Sequence, residues 1–286
     1  PNEMGHFWNP AKLALLEANY GGSLSYSPAQ IGKTIYGSIY KQVDDNMAVG
    51  LGLNYYSLGS INLRDGIGTS LGTQNPNEFG IDIALSKKFG VDFAVGATVR
   101  YIRSDVFDVE NAGKVKSANA TAIDVGLFKK HRIGYNILNV GFMISNIGTK
   151  LNYGTGTAKF LPTSLKTGVN YQIGQLNRFN IGLEVSKLLV STTATSQTSV
   201  LSAMFSSFNE GLKNCSLGFG TEYILLGQVS LRSGINIQNN GAFTRKQASV
   251  GFGFIKDAIR LNASYHIPID SQPLNNKFKF SLGMMF

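Results

Sequence analysis

The feature that most constrains this chain is its closing run, Lys277 to Phe286, K-F-K-F-S-L-G-M-M-F. As an extended strand it puts Phe278, Phe280, Leu282, Met284 and Phe286 on one face, with Lys279, Ser281 and Gly283 on the other. About ten residues of such alternation suffice to cross a bilayer as a β-strand, apolar toward lipid and small or polar toward a lumen. A half-buried soluble strand alternates as well, so what matters is how often the pattern returns.

It returns throughout the chain. Alternation predicts fourteen strands, at 21–27, 31–41, 47–58, 79–89, 91–103, 119–129, 135–147, 164–172, 179–189, 213–224, 228–237, 246–256, 258–266 and 277–286. In 91–103, Val91, Phe93, Val95, Ala97, Val99 and Tyr101 share one face, and Asp92, Ala94, Gly96, Thr98 and Arg100 the other. The connections at 42–46, 90, 130–134, 173–178, 225–227 and 257 hold six residues or fewer. Those at 59–78, 104–118, 148–163, 190–212, 238–245 and 267–276 hold eight or more. Short turns at one rim and long loops at the other describe an outer-membrane barrel, with the long loops outside the cell. Only the first outer connection, Pro28 to Gln30, is too short for the rule. The expected fold is therefore all-β: a 14-stranded antiparallel transmembrane outer-membrane β-barrel over 21–286, with both termini periplasmic.

Charge decides which face meets lipid. Asp82, Asp92, Arg100, Asp124, Lys166, Glu184, Glu222, Arg232, Arg260 and Lys279 all fall on the face rich in glycine. An Arg or Lys against the bilayer midplane costs about 2–4 kcal/mol, so these residues are expected inside. Both signs occur there, which implies internal ion pairs and a partly plugged lumen rather than an ion filter. Residues 1–20 are expected to form the plug segment. Within them Asn9 suits an N-cap and Pro10 the first helical position of a short helix tucked inside the barrel.

Composition agrees. Hydrophobic residues make up 43% and charged residues 15% of the chain, yet no apolar run approaches the roughly 18 residues of a membrane-spanning helix. Cys215 is alone, which excludes an internal disulfide, and sits at an outward position. The net charge of +9 is scattered over turns, loops and one strand face, which argues against nucleic acid and for outer-membrane lipid and lipopolysaccharide headgroups. The absence of a signal peptide is what a mature exported chain is expected to show.

Motifs for chemistry are weak. Gly32-Lys33-Thr34 lacks the earlier glycine of a phosphate loop and opens a strand. His6, His131 and His266 lie far apart, and the inward carboxylates Asp82, Asp92 and Asp124 read as structural charges. Neither a catalytic nor a cofactor site is expected. The loop 190–212 is different: Leu201, Met204, Phe205 and Phe208 form one face of a short helix, opposite Ser202, Ser206, Ser207 and Asn209. That face either packs onto its own rim or is offered to another protein. Loop 59–78 carries Ile61, Leu63, Ile67 and Leu71 outside any obvious core. The candidate partner-binding residues are thus Met204, Phe205, Phe208, Leu201, Ile67 and Leu71.

Several stretches carry a family resemblance. They are Trp8-Asn9-Pro10-Ala11-Lys12, Gly22-Ser23-Leu24-Ser25-Tyr26-Ser27-Pro28 and Asn75-Pro76-Asn77-Glu78-Phe79-Gly80-Ile81-Asp82. Then come Ile144-Ser145-Asn146-Ile147-Gly148-Thr149-Lys150, Phe160-Leu161-Pro162-Thr163 and Lys187-Leu188-Leu189-Val190, and Tyr265, Pro268 and Pro273-Leu274 before the closing strand. In order and content the chain resembles the PorV family, the outer-membrane shuttle proteins of the type IX secretion system, within the FadL-like group of fourteen-stranded barrels. The resemblance implies a non-enzymatic protein that takes cargo by its C-terminal signal domain from a large translocon barrel. The cargo then passes to a cell-surface sortase complex for release or lipopolysaccharide attachment. Two departures stand out: the glycine-rich segment before Asn9 is nearly absent, and the first outer loop shrinks to Ala29-Gln30.

Three rival readings remain at this point. A FadL-like transporter of hydrophobic small molecules predicts an apolar lumen pocket near the plug and a side opening at a strand kink. A general porin predicts an open lumen. A soluble β-sandwich would leave large apolar patches in water.

Overall fold

The protein is described by a computed structural model covering residues 5–28, 32–64, 66–107, 115–154, 157–240, 244–269 and 277–286. After a single helical turn α1 (Gly5–Trp8) and a 3-10 helix (Pro10–Leu15) come β1 (Tyr20–Pro28), β2 (Lys33–Gln42) and β3 (Met47–Ser57). A hairpin of β4 (Ile61–Arg64) and β5 (Ser70–Gln74) precedes β6 (Asn77–Phe89), β7 (Phe93–Phe107), β8 (Val115–Ile133), β9 (Asn136–Gly148), β10 (Ser164–Ile173) and β11 (Arg178–Leu188). Helix α2 (Val200–Ser207) then leads to β12 (Cys215–Leu225), β13 (Val229–Asn239), β14 (Thr244–Lys256), β15 (Ile259–Pro268) and β16 (Lys277–Met285). All strands but β4 and β5 form one closed antiparallel barrel of fourteen, each pairing with its neighbour along the chain and β16 returning to β1. At the seam Tyr20 N–H donates to the Phe286 carbonyl at 3.1 Å, and the two rings stack with centroids 5.4 Å apart.

The faces are as alternation requires. Phe93, Phe219 and Phe280 are 37%, 47% and 47% exposed, whereas Asp82 and Asp124 on the inner face are 2% and 1% exposed. An outer wall of aromatic and aliphatic side chains around a polar interior is stable only where hydrocarbon replaces water outside.

The strand boundaries differ in instructive places. β7 starts at Phe93, not residue 91, and Val91 is exposed in the turn. Asp92 therefore leaves the lumen set: it lies in the turn and pairs with Arg132 at 3.6 Å. Residues 59–78 form the β4–β5 hairpin rather than an open loop, and much of 104–118 is strand, since β7 and β8 run on for 15 and 19 residues. The short first outer connection, at 29–31, lies outside the described residues.

The N-terminal stretch lies inside the ring. Asn9 caps the helix by accepting from the Ala11 N–H at 3.0 Å, and its amide donates to the carbonyls of Leu127 on β8 (3.0 Å) and Phe142 on β9 (3.1 Å). The helix is 3-10 rather than α. Ser86 on β6 grips it twice, donating to the Ala11 carbonyl at 2.9 Å and accepting from the Ala14 N–H at 3.2 Å. Close approach demands small residues on the wall: a Cβ at Gly96 would collide with the backbone of Pro10 and Ala11, and one at Gly126 with the Asn9 side chain. Leu13, Ala14 and Leu16 pack on the inward Tyr40, Ala48 and Ala84, all nearly fully buried.

Asn9→Ala should remove the cap and both wall bonds. A lost cap costs about 0.5–2 kcal/mol, so residues 5–19 should become protease-sensitive while the barrel keeps its heat-dependent gel mobility. Unchanged cleavage would show that Asn9 does not hold the segment.

Candidate functional site

Two regions can do something chemically: the lumen and the rim of long loops. In the lumen, the 3-10 helix covers the wall from β2 to β8, and the opposite wall borders a cavity of about 870 Å³. Its lining includes Asn180, Glu184, Glu222, Arg232, Asn262 and Lys279. Arg232 Nε donates to Glu222 Oε1 at 2.6 Å and its Nη1 to Asn262 Oδ1 at 2.7 Å, while Asn180 donates to Glu222 Oε2 at 3.0 Å. The paired signs expected from the sequence thus occur as a compensated network. The inward apolar residues Tyr40, Ala48, Ala84 and Phe128 are covered by the N-terminal helix instead of facing the cavity.

A second ionic cluster sits where the wall changes register. Along β8 Ile123 and Val125 are two apart, but their partners Ile147 and Ile144 on β9 are three apart, so β9 carries a bulge. Asn146 adopts a left-handed φ of 58° there. Its N–H donates to Asp124 Oδ1 at 2.6 Å and its Oδ1 accepts from Arg100 Nη1 at 2.8 Å. Arg100 also reaches Asp124 at 3.0 Å and Asp82 at 3.9 Å. Outward from the bulge, the Thr163 hydroxyl donates to the Asn146 carbonyl at 2.7 Å, the Asn146 amide donates to the Pro162 carbonyl at 3.2 Å, and the Leu189 N–H donates to the Thr163 carbonyl at 2.7 Å. The stretches 144–150, 160–163 and 187–190, far apart in sequence, therefore meet at one corner.

That corner anchors the rim. Lys150 Nζ donates to the carbonyls of Ser196 (2.9 Å) and Thr198 and lies 4.3 Å from the Phe160 ring centroid, joining the loops 148–163 and 190–212. Glu210 closes the second loop, its Oε1 accepting from the Ser191 hydroxyl at 2.6 Å and the Thr192 N–H at 2.7 Å. Burial alone would push this carboxyl up. The donors Ser191 and Thr192 and the Lys187 charge outweigh it and hold the group below its usual range.

On this platform α2, N-capped by Ser199, turns Ala203 and Ser207 inward, both 0% exposed. Leu201, Phe205 and Phe208 face out at 61%, 71% and 52% exposure. The apolar face is thus not packed on the rim, and the polar face is not wholly outward, since Ser207 is buried and donates to the Met204 carbonyl at 2.7 Å. Met204 itself is half-buried. Leu212, 80% exposed, lies beyond the helix end, outside the helical spacing. Ile67 is 91% exposed near the tip of the β4–β5 hairpin, whose bonds Ser60–Asn75 and Thr73–Asn62 stay within it. Leu71 lies in β5, and its side chain is outside the described residues.

Against known proteins, the family model described as "Type IX secretion system protein PorV" matches residues 1–195, about two thirds of the chain. The chain belongs to the PorV family. A comparison with curated proteins gave no match. Among solved structures, the CymD monoaromatic hydrocarbon channel superposes with a TM-score of 0.65 at 10% identity, covering 100% of this chain and 93% of that one. The toluene transporter TbuX of Ralstonia pickettii gives 0.61 at 11%, covering 100% and 94%. A Pseudomonas aeruginosa FadL homologue gives 0.57 at 12%, covering 99% and 94%. At such identities the likeness establishes the FadL-like barrel fold alone. Fold and family together make this PorV-family chain an outer-membrane protein of the type IX secretion system.

Two outcomes follow. Arg100→Met leaves Asp82 and Asp124 without their common cation and should cost about 3–5 kcal/mol, read as a lowered denaturant midpoint of the folded barrel; an unchanged midpoint refutes the cluster's structural role. Because the Glu210 carboxyl sits below its ordinary value near 4.5, its contribution is present above that value and lost as pH falls through the lowered one. Hydrogen exchange at 191–212, corrected for intrinsic rates, should rise over that acid range, and Glu210→Gln should abolish the pH step.

Proposed function

We propose that this chain is a non-enzymatic carrier of the type IX secretion system. It binds the C-terminal signal domain of cargo leaving a large translocon barrel and hands it to the surface sortase complex that releases it or attaches it to lipopolysaccharide. The long loops lie outside the cell and both termini are periplasmic. The observation that carries the reading is the patch of Leu201, Phe205 and Phe208, left in water on a helix that is itself pinned to the rim. Exposed aromatics on a rigid support suit recognition of another protein, since little freedom is lost on binding.

The reading as a transporter of hydrophobic small molecules draws on the same barrel group but meets two obstacles. Beyond Trp8, the side chains that line the lumen cavity are largely amides, hydroxyls and charged groups, Arg232 and Glu222 paired among them. β3 pairs without a register break along its length on both sides, and the bulge between β8 and β9 is backed by Arg100 and Asp124. A greasy path through such walls has no support in these residues.

Leu201→Ser, Phe205→Ser and Phe208→Ser together should lower co-purification of the translocon barrel or of secreted cargo at least tenfold, since the two aromatic anchors alone are each worth more than about 1 kcal/mol once buried. The barrel's heat-dependent gel mobility should stay normal. Undiminished co-purification would remove the patch from the proposal.

A further inference from the structure

The half of the lumen that the N-terminal helix leaves open has a chemistry of its own. We propose that it is a binding site for a short uncharged oligosaccharide, with Trp8 as the stacking platform. The cavity of about 870 Å³ falls within the roughly 300–1,000 Å³ of small-molecule sites. Its charges are mixed rather than of one sign: Arg232 is engaged by Glu222 and Asn262, and Glu184 and Lys279 add one charge of each sign. The wall does not suit a hydrocarbon, which would leave its many amides and hydroxyls desolvated without partners. What remains facing the space is neutral and bifunctional: Asn236, Gln247, Ser249 and Ser264, groups that both donate and accept. That is the complement of a sugar's hydroxyl edge.

Trp8 supplies the other half of the match. It borders the cavity and is 45% exposed although it lies within the barrel. The Phe7 ring meets it edge-on at 5.1 Å and itself packs on Tyr36 of β2 at 4.6 Å, so the indole is held against the wall side. Lys279 Nζ stands 5.4 Å from its ring centroid, keeping a cation by the electron-rich face. An aromatic plate nearly half exposed in a polar chamber is unused apolar surface. The C–H face of a pyranose covers such a plate, attracted by the negative ring face, while its hydroxyls reach the surrounding amides.

The chain contains a single tryptophan, so indole fluorescence reads this site directly. The barrel is purified in an amine-oxide detergent, because sugar detergents would compete, and titrated with maltotriose and, separately, chitotriose. At least one should give a saturable change in Trp8 emission with a midpoint on the order of 1–10 mM. The double variant Asn236→Leu, Gln247→Leu keeps Trp8 and should raise that midpoint about tenfold, as expected for two lost hydrogen bonds, with normal heat-dependent gel mobility confirming the fold. Toluene and lactate serve as the hydrocarbon and anion arms and should leave emission unchanged. No saturable response to either trisaccharide, an equal response to toluene or lactate, or an unaltered midpoint in the folded double variant would each overturn the proposal.

Discussion

Every other property of this molecule follows from one requirement: a peptide group in hydrocarbon must find its hydrogen-bond partner within the protein. With strands, the only arrangement that leaves no N–H or C=O exposed to lipid is a ring in which each strand has two neighbours. Here the ring closes through the β1–β16 ladder and the bonds between Tyr20 and Phe286. Once it is closed, successive side chains must point alternately out and in, and the outward half must be apolar. All polar chemistry is thereby driven to the interior or to the two rims.

The interior meets this pressure unequally. From β2 to β8 the wall is built of small residues and inward aromatics that receive the 3-10 helix, so a segment without sheet bonds of its own becomes part of the core. The remaining wall keeps its polar groups toward the space inside the ring and carries charges of both signs, with Arg232 and Glu222 directly paired. At the junction of the two regimes, the bulge at Asn146 turns the top of β9 so that the loops 148–163 and 190–212 meet over it. The ion cluster beneath is what holds that corner. The features by which the chain resembles its family therefore look architectural first: they set where the rim loops stand.

Much of this was legible in the amino-acid order because membrane strands alternate so strictly. The fourteen strands and the orientation of Arg100, Glu222 and Lys279 follow from period two and simple charge energetics, and the cap at Asn9 from the residue preferences of a helix start. What escaped did so for identifiable reasons. Asp92 shares a parity with the inward residues, but parity loses its meaning once the chain enters a turn. Small inward residues such as Ala48 and Gly96 read simply as filling a narrow barrel, whereas each answers to an atom of the N-terminal helix. The bulge left a trace, two isoleucines three apart at 144 and 147 in a strand of period two, which signals an extra residue. Around α2 the spacing grouped Leu201, Phe205 and Phe208, which are exposed, but only the surroundings could say that Met204 is half-buried and that Ala203 and Ser207 turn inward.

The unequal strand lengths have a consequence for any large visitor. β8 is 19 residues long, while β15, seven places away around the ring of fourteen, has 10. β7 and β8 stay paired out to Phe107 and Val115, well past the last β8–β9 pair at Ala122 and Gly148, so on this flank the hairpin rises beyond its neighbour as a parapet. A bulky body descending on that flank meets this ridge first, so its heading about the barrel axis is biased by plain obstruction before any single side chain is touched.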